Sequence, residues 1–314
     1  MYTALIVGCG NIGALYDIET EAINSYAKAF HQDPEIAFDV YDINPDNARR
    51  VADLYHVQCL SHVDPEIYGR YDMVVISTPT ETHYEYLCGM LERGPRLVIC
   101  EKPVDIDRER LGELIGHYGQ SASKVMVNFF RRFQPGFIQL RQEIEDILKT
   151  EKCTNIVVTY QRGFHNNASH AVDLLEFLFG AKIDIGTATI SHRAEDEFDF
   201  DPTLSMACVW QGANLQFVGL AWAQFSHFEI SIYFTRKAIL LRDGGNQVEL
   251  LAASAASGRF YPRLGLQSRR TGVTDDFMVP VVDHAKGLLK DENLGDNFLE
   301  SVGISDRILE LQGR

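Results

Sequence analysis

Three places in the sequence carry residue types that can do chemistry together. The first, Gly8-Cys9-Gly10-Asn11-Ile12-Gly13, follows an apolar run at residues 4–7 and opens a helical segment. Glycines at this spacing allow a tight turn, close approach of backbone to a pyrophosphate, and helix-on-strand packing, while helix N-terminal amides face the phosphate. The second is Asp42, at the end of the run 37–41, where a carboxylate binds both ribose hydroxyls of NAD and repels the 2′-phosphate of NADP. It can equally close an Asx turn before Asn44-Pro45, and an insertion at residues 19–24 lengthens its separation from Gly13. The third is a polar stripe, Asn166, His170 and Asp173, on a helix predicted over 165–179 whose adjoining face, Ala171, Leu174, Leu175 and Leu178, is apolar. Near a helix N-terminus the dipole disfavours imidazolium, which leaves His170 a neutral general base. A histidine satisfied inside the structure is the plainer reading.

Such residues need a scaffold, and its pattern is legible. Continuous apolar runs at 4–7, 37–41, 73–76, 97–100 and 125–127 predict strands buried on both faces, and helical spacings separate them. That alternation implies right-handed βαβ units, a doubly wound parallel Rossmann sheet to about residue 130. Pro135 opens a further helix. After it, strand-like runs at 153–160, 204–210, 215–220, 227–234, 238–241 and 248–251 are joined by short turns, which predicts a large, mostly antiparallel sheet. Helices near 281–290 and 297–311 close the chain. The expected fold is therefore α/β, with a nucleotide-binding domain over 1–130 and an α+β substrate and oligomerisation domain over 131–314.

Composition narrows the partners. With 44 acidic residues against 29 Lys and Arg, the formal charge is −15, which argues against nucleic acid and anionic lipid. The six cysteines show no CxxC pair and no spacing with histidines that suits a metal, so reduced core thiols and no metal are expected. No apolar run reaches the ~18 residues of a membrane span, and residues 1–13 lack the basic start and cleavage site of a signal peptide. A cytoplasmic chain is the expectation.

Two more segments, Ser77-Thr78-Pro79-Thr80-Glu81-Thr82-His83 and Cys100-Glu101-Lys102-Pro103, stand after the runs 73–76 and 97–100. With the Gly-rich turn, and continuing through Asn128, Arg131-Arg132-Phe133-Gln134-Pro135 and the segment 163–173, they resemble the Gfo/Idh/MocA oxidoreductases, the family of glucose-fructose oxidoreductase and inositol dehydrogenase. The Glu-Lys-Pro element is the most specific part. The resemblance implies that Lys102 lies beside the nicotinamide and the reacting carbon, that His170 is the acid/base residue, that Pro103 follows an unusual peptide bond, and that His83 and Asn128 lie near the cofactor. An ammonium near the substrate oxygen stabilises a developing alkoxide and relays its proton. Thr78, Pro79, Thr80 and Glu101 join the cofactor set; Asn166, Asp173, Arg131 and Tyr160 form the substrate set. For His83, Asn128, Arg131 and Tyr160, helix-surface or capping roles are equally open.

The implied function is hydride transfer between NAD, favoured over NADP, and a secondary hydroxyl or ketone of a sugar, polyol or nucleotide-linked sugar, by an enzyme acting on CH–OH groups. One departure stands out. Many members of the family place an aspartate four residues before this histidine, and here the residue is Asn166, which takes no proton and lends no charge to an imidazolium. A non-catalytic NAD-binding sensor is the alternative, and a methyltransferase a third reading, opposed by the Gly8–Gly13 turn and Glu101-Lys102-Pro103. The family sheet implies a homodimer or homotetramer formed through a face carrying Trp210, Phe217, Trp222 and Phe234; simple core packing is the other explanation for these aromatics.

Overall fold

A computed structural model describes residues 1–198, 200–254 and 261–313. The chain divides into two units, one of Met1–Phe133 with Asp276–Asp306, the other of Gln134–Asp275 with Arg307–Arg314. The segment Asp276–Asp306 thus groups with the first unit, one of the two placements the sequence left open for the closing helices.

In the first unit the elements run β1 (Tyr2–Val7), α1 (Tyr26–Gln32), β2 (Ile36–Tyr41), α2 (Pro45–Tyr55), α3 (Pro65–Tyr68), β3 (Met73–Ile76), α4 (His83–Arg93), β4 (Leu97–Cys100), α5 (Arg108–Tyr118) and β5 (Lys124–Val127). The five strands form one parallel sheet in the order β2-β1-β3-β4-β5. One face packs Ala4, Ile6, Val75 and Ile99 against Phe30, Val51 and Val281. The alternate residues Leu5, Val74 and Val98 are buried too, as a sheet covered on both sides requires. At about 25 cal/mol per Å² of apolar surface removed from water, this double coverage is the main stabilising term. The chain returns after residue 275 to add the helix Met278–Lys290, whose Met278, Val281, Val282 and Ala285 complete the first face.

The second unit adds α6 (Pro135–Leu148), β6 (Cys153–Tyr160), α7 (Ser169–Phe179), β7 (Thr189–Ala194), β8 (Thr203–Trp210), β9 (Ala213–Gly219), β10 (Phe228–Phe234), β11 (Lys237–Arg242), β12 (Gln247–Ser254) and β13 (Arg263–Arg270). Then follow α8 (Met278–Lys290) and α9 (Phe298–Gln312), the last residues of α9 belonging to the second unit. The eight strands form one sheet in the order β13-β12-β11-β10-β6-β9-β8-β7, antiparallel except for the parallel pair β6 and β9. Side chains alternate as a half-covered sheet demands. On β8, β9 and β10 the buried set includes Trp210, Phe217 and Phe234, with α7 seated on it through Phe179, 5.0 Å from Trp210 between ring centroids. The expectation that these three aromatics face a second subunit is therefore corrected: they are core. Val209, Val218 and Tyr233 occupy the open face, and Trp222 is exposed in the loop after β9.

Among the described residues, no helix is long and apolar enough to cross a membrane.

Candidate functional site

The turn after β1 is built around its glycines. A Cβ on Gly8, whose φ is +102°, would lie 2.7 Å from the Ser77 carbonyl, and one on Gly13 only 2.1 Å from the Gly8 oxygen. A Cβ on Gly10 would meet nothing within 4 Å, so the backbone there lies open to a ligand. Ser77 Oγ donates to the Gly8 carbonyl at 2.8 Å and fixes the turn from β3. These residues fit a dinucleotide: close packing where the sheet is near, open backbone where a pyrophosphate would approach. The expected helix is short. Asn11–Leu15 make one wide turn, with Ile12 half-buried and Asn11 exposed, and α1 begins only at Tyr26. The buried carboxylate of Asp17 diverts the chain, accepting from Asn24 N, Ser25 N and Ser25 Oγ at 2.5, 2.7 and 2.7 Å.

Asp42 ties the end of β2 to two backbone amides. Its Oδ1 accepts from Asn44 N at 2.7 Å, which is the Asx turn, and its Oδ2 accepts from Cys9 N at 2.6 Å. The carboxylate is thus fixed against the Gly-rich turn.

Below Lys102 lies an arrangement that only partly shows in the sequence. Glu101 Oε1 accepts from Tyr26 Oη at 2.9 Å and from Asn128 Nδ2 at 2.7 Å. Burial pushes the Glu101 carboxyl above its ordinary value, while Asn128, the Lys102 charge and Tyr26 pull it back. Burial likewise holds the Tyr26 phenol far from ionising. Asn128 Oδ1 is buried and accepts no hydrogen bond among the described residues. Lys102 is half-buried, and its peptide bond to Pro103 is cis.

His83 is 1 % exposed. Its Nδ1 lies 3.0 Å from the Pro103 carbonyl and its Nε2 2.9 Å from the Thr78 carbonyl. Burial depresses its pKa. The ring is enclosed, and it straps the Pro103 turn to the Thr78-Pro79-Thr80 loop. In that loop Thr82 Oγ1 donates to Pro79 O at 2.8 Å and pairs with Thr78 Oγ1 at 2.7 Å. Arg131, 8 % exposed, sets its guanidinium 4.5 Å from the Phe130 ring centroid.

In the second unit α7 begins at Ser169, later than the predicted 165, because residues Phe164–Ala168 form a wider turn. Asp201, fully buried, causes this. Its Oδ1 accepts from His165 N and its Oδ2 from Asn166 N, both at 2.7 Å, and Gln312 Nε2 donates to Oδ1 at 2.6 Å. Burial raises the Asp201 carboxyl, and those donors oppose the rise. Gly163, with φ +80°, leaves the room: a Cβ there would sit 2.1 Å from Asp201 Oδ2. Asn166 is therefore off the regular helical spacing, and its Nδ2 turns back to the Arg162 carbonyl at 3.1 Å. His170 is half-buried in the first turn of α7, and Asp173 is 1 % exposed. Tyr160 is fully buried, and its hydroxyl donates to Leu204 O at 2.7 Å and accepts from Leu204 N at 2.8 Å.

Tyr26 and Asp201 escaped sequence reasoning. Tyr26 sits just past the insertion, and Asp201 ends an acidic stretch, residues 195–201, that reads as a solvated loop; nothing local marks either. Residues 2–129 match the family described as "Oxidoreductase family, NAD-binding Rossmann fold", GFO_IDH_MocA. Over these residues the chain is similar to the Gfo/Idh/MocA oxidoreductases. An inositol 2-dehydrogenase of Rhizobium meliloti is 29% identical over 226 residues, 67% of this chain and 64% of that protein. A UDP-N-acetylglucosamine 3-dehydrogenase of Acidithiobacillus ferrooxidans is 27% identical over 137 residues, 44% of this chain and 40% of that protein. The matched segments thus span less than two thirds of these relatives' own lengths. A myo-inositol dehydrogenase structure from Corynebacterium glutamicum shares the fold at TM-score 0.74 and 16% identity, covering 99% of this chain and 96% of its own. A 3-ketoreductase from Actinomadura kijaniata, solved with NADP and TDP-benzene, does so at TM-score 0.72 and 12% identity, over 98% and 96%. The Gfo/Idh/MocA resemblance read from the motifs agrees with the family model matched over residues 2–129, and the two-sheet architecture is the fold of these two solved structures.

Proposed function

We propose that this protein is an NAD-dependent oxidoreductase that interconverts a secondary hydroxyl and a ketone on a sugar, polyol or nucleotide-linked sugar. The observation that carries the reading is Asp42, bonded to Cys9 N beside a Gly10 backbone open to a ligand. In this reading Gly8, Gly10, Asn11, Ile12 and Gly13 hold the pyrophosphate, Asp42 holds the adenosine ribose, and Thr78, Pro79, Thr80 and Asn128 line the nicotinamide end. An anionic Asp42 favours NAD over NADP, whose 2′-phosphate it repels. Bound nicotinamide supplies or accepts the hydride at its C4 carbon. Lys102 holds the substrate oxygen as a cation steadied by Glu101, and His170 takes the hydroxyl proton or returns it. Asn166, Asp173 and Arg131 serve the substrate side.

The curated relatives named inositol and UDP-N-acetylglucosamine dehydrogenases support a cyclic polyhydroxylated substrate. The free cysteines suit the cytoplasm, and the open face with Val209, Val218 and Tyr233 suits a homodimer or homotetramer. The test is a fluorescence titration of cofactor-stripped protein with NADH and with NADPH, followed by a polyol and sugar screen with NAD. Tight NADH and weak NADPH binding with turnover of a polyol is the expected result. Binding of neither nucleotide overturns the reading, and binding with no turnover on any sugar or polyol leaves a sensor.

A further inference from the structure

Within the second unit, the last residues of α9 grip α7 at two points. Arg307 Nη2 donates to Glu176 Oε1 at 2.6 Å, toward the carboxyl end of α7, and Gln312 Nε2 donates to Asp201 Oδ1, also at 2.6 Å. The second bond reaches the amino end of the helix through Asp201, whose two oxygens hold the His165 and Asn166 amides. That wide turn runs straight into α7: Phe164 O accepts from Ser169 N, and His170 is the next residue. The segment with His170 and Asp173 therefore lies between the two attachments.

Gln312 acts on the charge of Asp201 as well as on its place. Burial drives the Asp201 carboxyl toward its protonated form, and the donors, Gln312 among them, oppose that drive. An ionised carboxylate accepts at both oxygens, whereas in the acid one oxygen carries a proton and is a poor partner for an amide. Removing the Gln312 donor thus shifts Asp201 toward a form that no longer holds both amides. Gln312 is itself fixed, since its carbonyl accepts from Arg193 Nη1 at 2.7 Å. Neighbouring charges are engaged with partners of their own: Arg193 Nε with Glu195, Arg162 with Glu197, and Asp196 with Thr203 Oγ1. Burial keeps the Tyr160 phenol from ionising, and His165 carries its ring in the turn itself, 2 % exposed. A displacement of about 1 Å at a reacting group costs up to about a hundredfold in rate, so the start of α7 is a sensitive place to set.

We propose that Gln312 is a positioning residue: through Asp201 it sets the start of α7 and with it the reach of His170 toward the hydroxyl proton. The inference rests on the acid/base role proposed above for His170 and adds a residue, far along the chain, that tunes it.

Gln312→Met keeps the length of the side chain and removes its donor. It is expected to lower kcat about tenfold for NAD reduction with myo-inositol, or with the substrate found in the screen above, and to leave NADH affinity unchanged. Amide exchange over residues 163–170 of the NAD-bound protein is expected to speed up about tenfold, the worth of one hydrogen bond. Gln312→Glu restores a donor only while it shares a proton with Asp201. From about pH 8.5 down to about pH 5.5, the rate of the Glu variant relative to the unaltered protein is expected to rise, and that of the Met variant to fall. A merely structural role moves neither ratio. Unchanged kcat in the Met variant, ratios that do not diverge with pH, or unchanged exchange over 163–170 overturns the proposal. Exchange needs no turnover, so the two readings fail separately. Faster exchange in a protein that turns over no sugar or polyol removes the reaction and leaves Gln312 holding the turn. Turnover with unchanged exchange keeps the reaction and removes Gln312.

Discussion

The carboxylate of Asp201 accepts the backbone N–H of His165 at 2.7 Å, from a strand-side loop 36 residues further along the chain. Its other oxygen takes the next amide, that of Asn166. A charged group thus satisfies donors that the wide turn before α7 leaves unmade. Hydrogen bonds to a buried charged acceptor contribute about 1.5–3 kcal/mol each. Asp201→Ala is expected to destabilise the protein by about 3 kcal/mol, and Asp201→Asn by roughly half of that, since one carbonyl oxygen remains. Urea denaturation checks this; equal stability of all three proteins would remove Asp201 from its role.

Asn166 follows from the same geometry. An aspartate at 166 would set a second carboxylate beside Asp201 and turn an acceptor toward the Arg162 carbonyl that Asn166 Nδ2 now satisfies. Asn166→Asp is expected to lower stability by about 1–2 kcal/mol. A more stable variant in denaturant would show that the local charge is not what disfavours the acid.

Glu101 gives a pH dependence of stability with a definite sign. Burial raises its pKa in the folded protein above the 4.5 of a free side chain. Between those two values the native state holds more protons than the unfolded chain, so this group makes stability fall as pH rises through that window. Glu101→Gln keeps an oxygen for Tyr26 and Asn128 and removes the charge. Stability curves from pH 4 upward are expected to be flatter for the variant, and its kcat about tenfold lower if the lost counter-charge is worth about 1.4 kcal/mol to Lys102. Parallel curves for the two proteins would exclude this account.

Asp42→Ala removes two amide acceptors and the negative charge together. The expected result is a loss of about 1–2 kcal/mol in stability and NADH affinity at least tenfold weaker, with NADPH affinity changed less. Nucleotide titration of the purified variant measures both; unchanged selectivity would confine Asp42 to its Asx turn.

Lys102→Met tests the chemistry apart from the cofactor. Removing a positioned proton donor costs about 10²–10⁴ in rate, so kcat is expected to fall by that factor while NADH affinity stays nearly constant. Full turnover by the variant would take Lys102 out of the mechanism.

The sequence showed the parallel sheet clearly because each of its strands is buried on both faces; 73–76 and 97–100 coincide with β3 and β4. In the second unit β6 through β12 were legible apart from β7, and β13 was missed as well. Both lie at the edges of the eight-stranded sheet and are largely exposed, so neither carries an apolar run or a clean alternation. The candidate site split in the same way. Residues whose backbone does the work, such as Gly8, Gly10 and Gly13, announce themselves by type and spacing. Tyr26 and Asp201 act through side chains brought in from distant segments, and Tyr160 reads as a candidate until its hydroxyl is seen closed on Leu204.

The single parallel pairing in the second sheet sets Tyr160 opposite Gly219. Strands that run together finish together, so the segments leaving β6 and β9 emerge at one rim, as loops do at the carboxyl edge of a wholly parallel sheet. Leu220 N–H still donates to the Tyr160 carbonyl at 2.7 Å, and beyond it residues 221–227 can lengthen, shorten or change their aromatic content with no hydrogen bond of the ladder disturbed. The sheet thus separates two evolutionary tasks: its ladders hold a constant frame, and one rim is free to diverge toward new ligands.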